Sequence, residues 1–361
     1  MTSPTHLLLR GRPSHLPRLL HRAQQSQKVV VVAAAAREQA YSPYIISSRR
    51  SISTSQPNPS SSLPRPIGTP ILSLGPNHSR TMSTAPPSKD WSAAQYLLYT
   101  TERTRPVHDL IAQVRPHLTS HQAPVIYDLG CGPGNSTSAL LSAFPGAQIT
   151  GVDSSSDMLK KARKELPDVP FTQADVSSFS PDSSPDLLFS NAVFHWLRTP
   201  QRLATLTRLF SDLRPGGVLA FQMPDNYTEP SHTLMRTVAL RKDTPWERYF
   251  SDTAVGELTD KQRPDLDPIE PASAYYNALS ALGAVNLWRT TYSHVLTDAK
   301  AIVEWVKGSG LQPFLQRIGD EDARKAFLAK YEEALRGEYP VMADGRVLLQ
   351  YPRLFVVAVR G

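Results

Sequence analysis

The stretch from Val125 to Thr137 (VIYDLGCGPGNST) holds the densest chemistry in this 361-residue chain. An apolar run leads into Asp128, glycines follow at alternate positions (Gly130, Gly132, Gly134), and Asn135 and Ser136 stand where a helix would be capped. Glycines at this spacing let the chain turn sharply off a strand and bring backbone close to a ligand. A dinucleotide fingerprint needs a third glycine at position 135, where asparagine stands. A pyrophosphate would also meet the negative charge of Asp128. S-Adenosylmethionine has no phosphate, and its ammonium and sulfonium are cations, so a carboxylate beside the turn suits it. The order GxGxG after an acid therefore favours S-adenosylmethionine over a nicotinamide dinucleotide.

Downstream acids agree. Gln148 to Val152 reads as a second strand ending at Asp153, placed to accept both ribose hydroxyls. Ser156 is expected to cap the next helix, whose Met158, Leu159, Ala162 and Leu166 recur at helical spacing. Phe171 to Asp175 reads as a third strand, with Asp175 set to accept from an adenine amino group. Pro185 to Asn191 is a fourth strand, and Asn191 to Trp196 falls just beyond its carboxyl end, the edge at which open α/β sheets bind ligands.

These residues need a scaffold to hold them. Leu203, Leu206, Leu209, Phe210 and Leu213 form a helical stripe, and Val218 to Met223 a fifth strand. Ahead of the glycines, Pro106 suits the first turn of a helix buried through Val107, Leu110, Ile111, Val114 and Leu118. Later come a helix over Ser273 to Leu282, a strand over Val285 to Leu296, helices over Asp298 to Lys307 and Asp320 to Arg336, the second stopping at Gly337, and a last strand over Arg346 to Arg360. Alternating strands and helices predict an α/β fold, a doubly wound, mostly parallel seven-stranded sheet, with a helical cap inserted between the final two strands.

Several motifs narrow the reading: DWSAAQYLLYTTERTRP (Asp90 to Pro106), DLGCGPGNST (Asp128 to Thr137), ITGVDSSSDM (Ile149 to Met158), NAVFHWL (Asn191 to Leu197), QMPDNYTEPSH (Gln222 to His232), LWRTTYSH (Leu287 to His294) and YPRLFVVAVR (Tyr351 to Arg360). From Asp90 onward the chain resembles the trans-aconitate methyltransferases, Rossmann-like class I enzymes that use S-adenosylmethionine to esterify one carboxylate of a tricarboxylic acid. Residues 1–89, outside the resemblance, read as a leader, and the resemblance implies a methyltransferase domain over 90–361, with its core at 107–240 and a substrate cap at 241–345. On the cofactor side the candidates are Asp128, Gly130, Cys131, Gly132, Gly134, Asn135, Asp153, Ser154, Met158, Asp175 and Asn191. In the family the segment before Pro106 helps cover the cofactor, which would bring Tyr96, Arg103 and Arg105 to the site. The segment Arg241 to Pro271, acidic and Pro-rich, is longer than the resemblance leads one to expect and is a candidate for the pocket's rim.

The implied chemistry asks little of side chains. A carboxylate with a pKa of about 4 is ionised at neutral pH, so no general base is required. The site must hold the oxygen about 3 Å from the methyl carbon and exclude water. It must also bind a polyanion, for which Arg forks and neutral donors are suited. The candidates are Arg103, Arg105, Arg289 and Arg353, with His195, Trp196, Asn226, Tyr292 and His294 as donors or shape-setting partners. Trp91 and Trp288 read as packing residues. Other small-molecule acceptors such as a phenol, or a non-catalytic cofactor-binding subunit, are the alternatives to an acid ester.

Composition bounds the rest. Cys131 is the single cysteine, so no intrachain disulfide forms, and in a glycine loop it reads as a small packing residue. No close His, Cys or Asp pair at ligand spacing suggests a metal. The net charge of +7 hints at a polyanion partner. Residues 1–81, however, hold ten Lys or Arg and one acid, leaving 29 basic and 31 acidic residues in the remainder. The folded part thus offers no footprint for nucleic acid. The leader is Arg- and Ser-rich like a mitochondrial transit peptide, its apolar run Val29 to Ala36 is too short to span a bilayer, and Ser53 to Pro87 reads as disordered. Met82 offers a second start that would give a leaderless form. A monomer acting on a small polycarboxylate is expected, in the cytoplasm or, through the leader, the mitochondrial matrix.

Overall fold

The computed structural model describes residues 99–361 except 120, 121 and 261, so the leader, Trp91 and Tyr96 lie outside the described residues. The strands are β1 (Val125–Leu129), β2 (Gln148–Asp153), β3 (Phe171–Gln173), β4 (Leu187–Asn191), β5 (Val218–Pro224), β6 (Gly283–Leu296) and β7 (Val347–Arg360). They form one sheet in the order β3-β2-β1-β4-β5-β7-β6. β1 to β5 pair in parallel, and β7 runs antiparallel between β5 and β6. The order reverses between β1 and β4, which makes the glycine turn after β1 the switch point where such sheets take ligands.

The helices are α1 (Thr100–Val114), α2 (Asn135–Ala143), α3 (Ser156–Glu165), α4 (Gln201–Ser211), α5 (Pro230–Ala239), α6 (Ala272–Ser280), α7 (Ala299–Lys307), α8 (Gln312–Arg317) and α9 (Glu321–Glu338). One sheet face packs β1, β4 and β5 residues with α1 and α2 through Val107, Leu110, Leu140 and Phe189. The other face packs with α4 and α6 through Leu206, Leu209, Phe210 and Tyr275. A third cluster gathers α7, α8 and α9, which contribute Trp305, Phe314 and Phe327, with Met235 and Val238 of α5.

Several local expectations are corrected. Pro106 sits inside α1, because that helix begins six residues earlier, at Thr100; the ring removes one helical donor there but leaves the buried stripe in register. Gly134, at φ +99°, is the N-cap of α2, and neither Asn135 nor Ser136 caps it with a side chain. The Ser136 hydroxyl instead donates to Asp128. Ser155 rather than Ser156 caps α3, its Oγ accepting from the Met158 amide at 3.3 Å. α9 runs through Gly337 to Glu338, since its cap at Asp320 and its buried Phe327, Tyr331 and Leu335 hold it regardless of the glycine. Helices α5 and α8 were not expected; each opens with a proline in its first turn.

Three of the eight acids in the Arg241 to Pro271 segment, Asp265, Asp267 and Glu270, are paired with arginines. Arg202 has no solvent exposure and donates to Glu270 at 2.7 Å, to the carbonyls of Phe194 and Leu197, and to that of Pro268. Asp267 receives Arg198 at 3.0 Å and also Arg263. Removing one member of a buried pair strands the other. Glu270→Ala is therefore expected to lower unfolding free energy by about 3–5 kcal/mol, read by urea denaturation.

Candidate active site

A cavity of about 300 Å³ opens at the carboxyl edge of the sheet. The glycine turn forms its floor. Gly130 adopts φ +71° and its amide donates to the Val152 carbonyl at 2.6 Å, so the turn is tied to β2. A Cβ at Gly130 would lie 2.1 Å from a Val193 methyl, and Val193 is itself part of the wall. Asp153 leaves β2 with its Oδ2 accepting from the Gly132 amide at 2.9 Å and its Oδ1 from Ser155 at 2.8 Å. One carboxylate thus fixes both the turn and the start of α3.

Of the cofactor-side candidates, Gly130, Gly132, Asp153, Ser154, Met158, Asp175 and Asn191 line the cavity. Asp175 does so from an exposed loop rather than a strand end, since β3 stops at Gln173 and Asp175 accepts from the Ser177 amide at 2.8 Å. Asp128, Cys131, Gly134 and Asn135 are not on the wall. Asp128 is fully buried beneath the turn, its Oδ2 accepting from the Ser136 and Thr137 hydroxyls at 2.7 Å each, and its Oδ1 lacks a hydrogen-bond partner. Burial lifts its carboxyl to about 6, against the pull of those two hydroxyls. Cys131 is buried against the turn and its thiol is held protonated by burial, in keeping with a packing role. The sequence reading missed Val176, Ala192 and Val193, whose apolar side chains carry no chemical signature.

The acceptor-side candidates divide sharply. Arg103, His195, Trp196 and Arg353 line the same cavity. Arg103 reaches in from α1, 9% exposed, its guanidinium 4.9 Å above the Trp305 ring and donating to the Trp305 carbonyl at 2.8 Å. Arg353 comes from β7, 4% exposed, donating to Gln222 Oε1 at 2.9 Å with Tyr351 beneath it. His195 is held well below its ordinary value by burial first and then by Arg202 and Arg353, so its ring is neutral at pH 7. Asn226 faces a side chamber of about 50 Å³ that shares His195, Trp196 and Tyr351 with the main cavity, and whose far wall includes Asp265, Leu266 and Ile269.

Arg105, Arg289, Tyr292 and His294 are not on the cavity wall. Arg105 is exposed and covers the Tyr292 ring. Arg289 lies on the edge strand β6, its side chain 52% exposed and paired with Asp225 at 2.9 Å. The Tyr292 hydroxyl donates to Asp109 at 2.6 Å, bracing α1 against the sheet. His294 is buried against Trp305, 4.3 Å between ring centroids, and burial with Arg353 and Arg103 lowers its pKa to about 4. Tyr292 and His294 therefore support the platform beneath Arg103. Tyr351 and Ser309 line the cavity without having been nominated, although Tyr351, two residues from Arg353 on one strand, shares its face.

Residues 126–217 match the family described as methyltransferase domain. A trans-aconitate 2-methyltransferase of Rhizobium etli is 47% identical over 272 residues, covering 75% of this chain and 99% of that protein. The chain belongs to the trans-aconitate 2-methyltransferase family. A second member, from Methylobacterium nodulans, is 50% identical over 273 residues, covering 75% of this chain and 98% of its own. Like its family, this methyltransferase uses S-adenosyl-L-methionine and forms an O-methyl product on a small molecule. The residues present fit that cofactor: a turn with no room for a Cβ at Gly130, an acid at the end of β2, and the partnerless Oδ1 of Asp128 under the turn. Across the edge, acids stand on the β2 side and arginine on the β7 side, the polarity wanted for a cationic donor and an anionic acceptor. Among the described residues no helix is long and apolar enough to cross a membrane.

Proposed function

We propose that this enzyme methylates one carboxylate of trans-aconitate or a closely related di- or tricarboxylic acid, giving a monomethyl ester, and that it acts as a monomer on the free metabolite. The observation that carries the reading is the convergence of two nearly buried arginines, Arg103 and Arg353, on the cavity that holds the glycine turn. The planar guanidinium fork matches a carboxylate in two parallel hydrogen bonds, so two arginines converging on one cavity suit a ligand with more than one carboxylate. Bound S-adenosylmethionine would supply the methyl group. Gly130, Asp153 and Met158 would hold and orient it; the arginines would fix the non-reacting carboxylates; Trp196 and Tyr351 would exclude water. The relatives named trans-aconitate 2-methyltransferases support the choice of acid.

We further assign the cofactor core to residues 107–240, the cap to 241–345 and a cytoplasmic location, with microscopy of fusions starting at Met1 and at Met82 as the check on the leader. The direct test of function is transfer of labelled methyl to trans-aconitate, cis-aconitate, citrate, isopropylmalate and a phenol, with NMR of the product. Labelling of the phenol alone would sink the reading.

Asp128 gives this assignment a pH signature. Its folded pKa is raised, so its neutral form stabilises the fold fully below about pH 4, and that contribution is lost as pH rises through about 6. A cation bound beside the turn favours the ionised form. Cofactor affinity is therefore expected to strengthen about tenfold between pH 5 and 7, and to stay level in Asp128→Asn, as measured by calorimetry.

A further inference from the structure

Resting on the polycarboxylate reading above, we propose that Asn191 is the donor that holds the reacting carboxylate, and that its amide is fixed in that sense by a two-step relay from Arg353 through Gln222. A guanidinium only donates. Arg353 therefore commits Gln222 Oε1, which accepts at 2.9 Å. The other end of the Gln222 amide, Nε2, also only donates, and it faces Asn191 Oδ1, which accepts from it. Asn191 is left with its Nδ2 hydrogens to present. Asn191 ends β4, beside β1 and its glycine turn, and lines the cavity.

Nothing in the relay is free to turn over. Gln222 is wholly buried, and its backbone carbonyl also accepts from Ala192 at 2.9 Å, where the chain adopts φ +58°. Rotating the wholly buried Gln222 amide would set donor against donor, and rotating Asn191 would do the same one step on. The consequence is chemical. A neutral amide on the carboxylate that reacts orients it without neutralising it, so the second oxygen stays nucleophilic, while the charged arginines hold the carboxylates that do not react. Asn191 thereby moves from the cofactor set to the acceptor set, and Gln222 is its positioning residue.

The test uses the full-length protein, labelled methyl transfer to trans-aconitate, and calorimetry of S-adenosylmethionine. N191D keeps an acceptor for Gln222 but turns an anion toward the substrate. Its acid KM is expected to rise at least about 50-fold while the cofactor Kd moves less than about threefold. Q222E places a carboxylate against Arg353 and asks Asn191 to donate back, turning its oxygen to the cavity, so its acid KM should rise comparably with the cofactor Kd again unmoved. N191D preserves the bond to Gln222, so the test stands if Q222E does not fold. An N191D enzyme with wild-type acid KM, or one whose defect lies in cofactor Kd alone, overturns the assignment. A wild-type enzyme that labels no acid removes the polycarboxylate reading first, and this inference with it.

Discussion

Gly130→Ala is expected to weaken cofactor binding by at least about 100-fold and to bring methyl transfer to background. Two costs act together. At φ +71° an L-residue is strained by roughly 1–2 kcal/mol. The new Cβ would also meet the Val193 side chain at 2.1, 2.9 and 3.0 Å, a β-branched group whose one torsion is restricted and whose own Cβ is among the atoms met. The turn must therefore shift, breaking its 2.6 Å bond to Val152 and moving the Gly132 amide off Asp153. Gly216→Ala supplies the control: its φ of +82° imposes similar strain, nothing lies within 4 Å of its Cβ, and it stands in a turn away from the cavity. Calorimetry of the cofactor against both variants separates strain from collision, and equal losses in the two would reject the account.

Arg353→Met should lower kcat/KM for trans-aconitate by about 100- to 1000-fold, the range for truncating one partner of a buried charge pair. Cofactor affinity is expected to stay within about threefold, because Arg353 sits on β7, three strands from β1. Methionine preserves much of the side-chain volume, so a stability loss does not mask the result. Arg289→Met, on an exposed side chain already paired with Asp225, should leave acid turnover close to wild type. Steady-state kinetics on the two variants is the measurement; the opposite ranking would return Arg289 to the pocket and remove Arg353 from it.

The parallel half of the sheet was legible because most of its strands are apolar runs with an acid or amide at or near the carboxyl end, and because glycine spacing reports backbone need directly. Helix α5 was not legible, since Thr, Ser and His dilute its stripe, although Glu229-Pro230 is a fair start signal. The arginines show where sequence reading of a site stops. Along a strand, side chains alternate faces, so Arg289 and the pair Tyr292 and His294, separated by odd intervals, cannot all face one cavity. That contradiction was available in the sequence. Which face wins was not, because it depends on α1 packing over Tyr292 and on Trp305 arriving from α7. Gln222 was hidden for a similar reason: its two partners are remote in sequence, 31 and 131 residues away.

The antiparallel strand β7 lies between β5 and β6 and carries Tyr351 and Arg353. During synthesis, then, β5 keeps a bare edge until residues 347–360 leave the ribosome, and the nascent chain exposes a row of unmet amides and carbonyls beside a nearly finished half-sheet. Insertion of that one late segment zips the architecture and delivers the Arg353 guanidinium to the cavity in the same event. Partly made molecules are thereby barren as well as unfinished, and chaperone demand should peak just before that final stretch emerges.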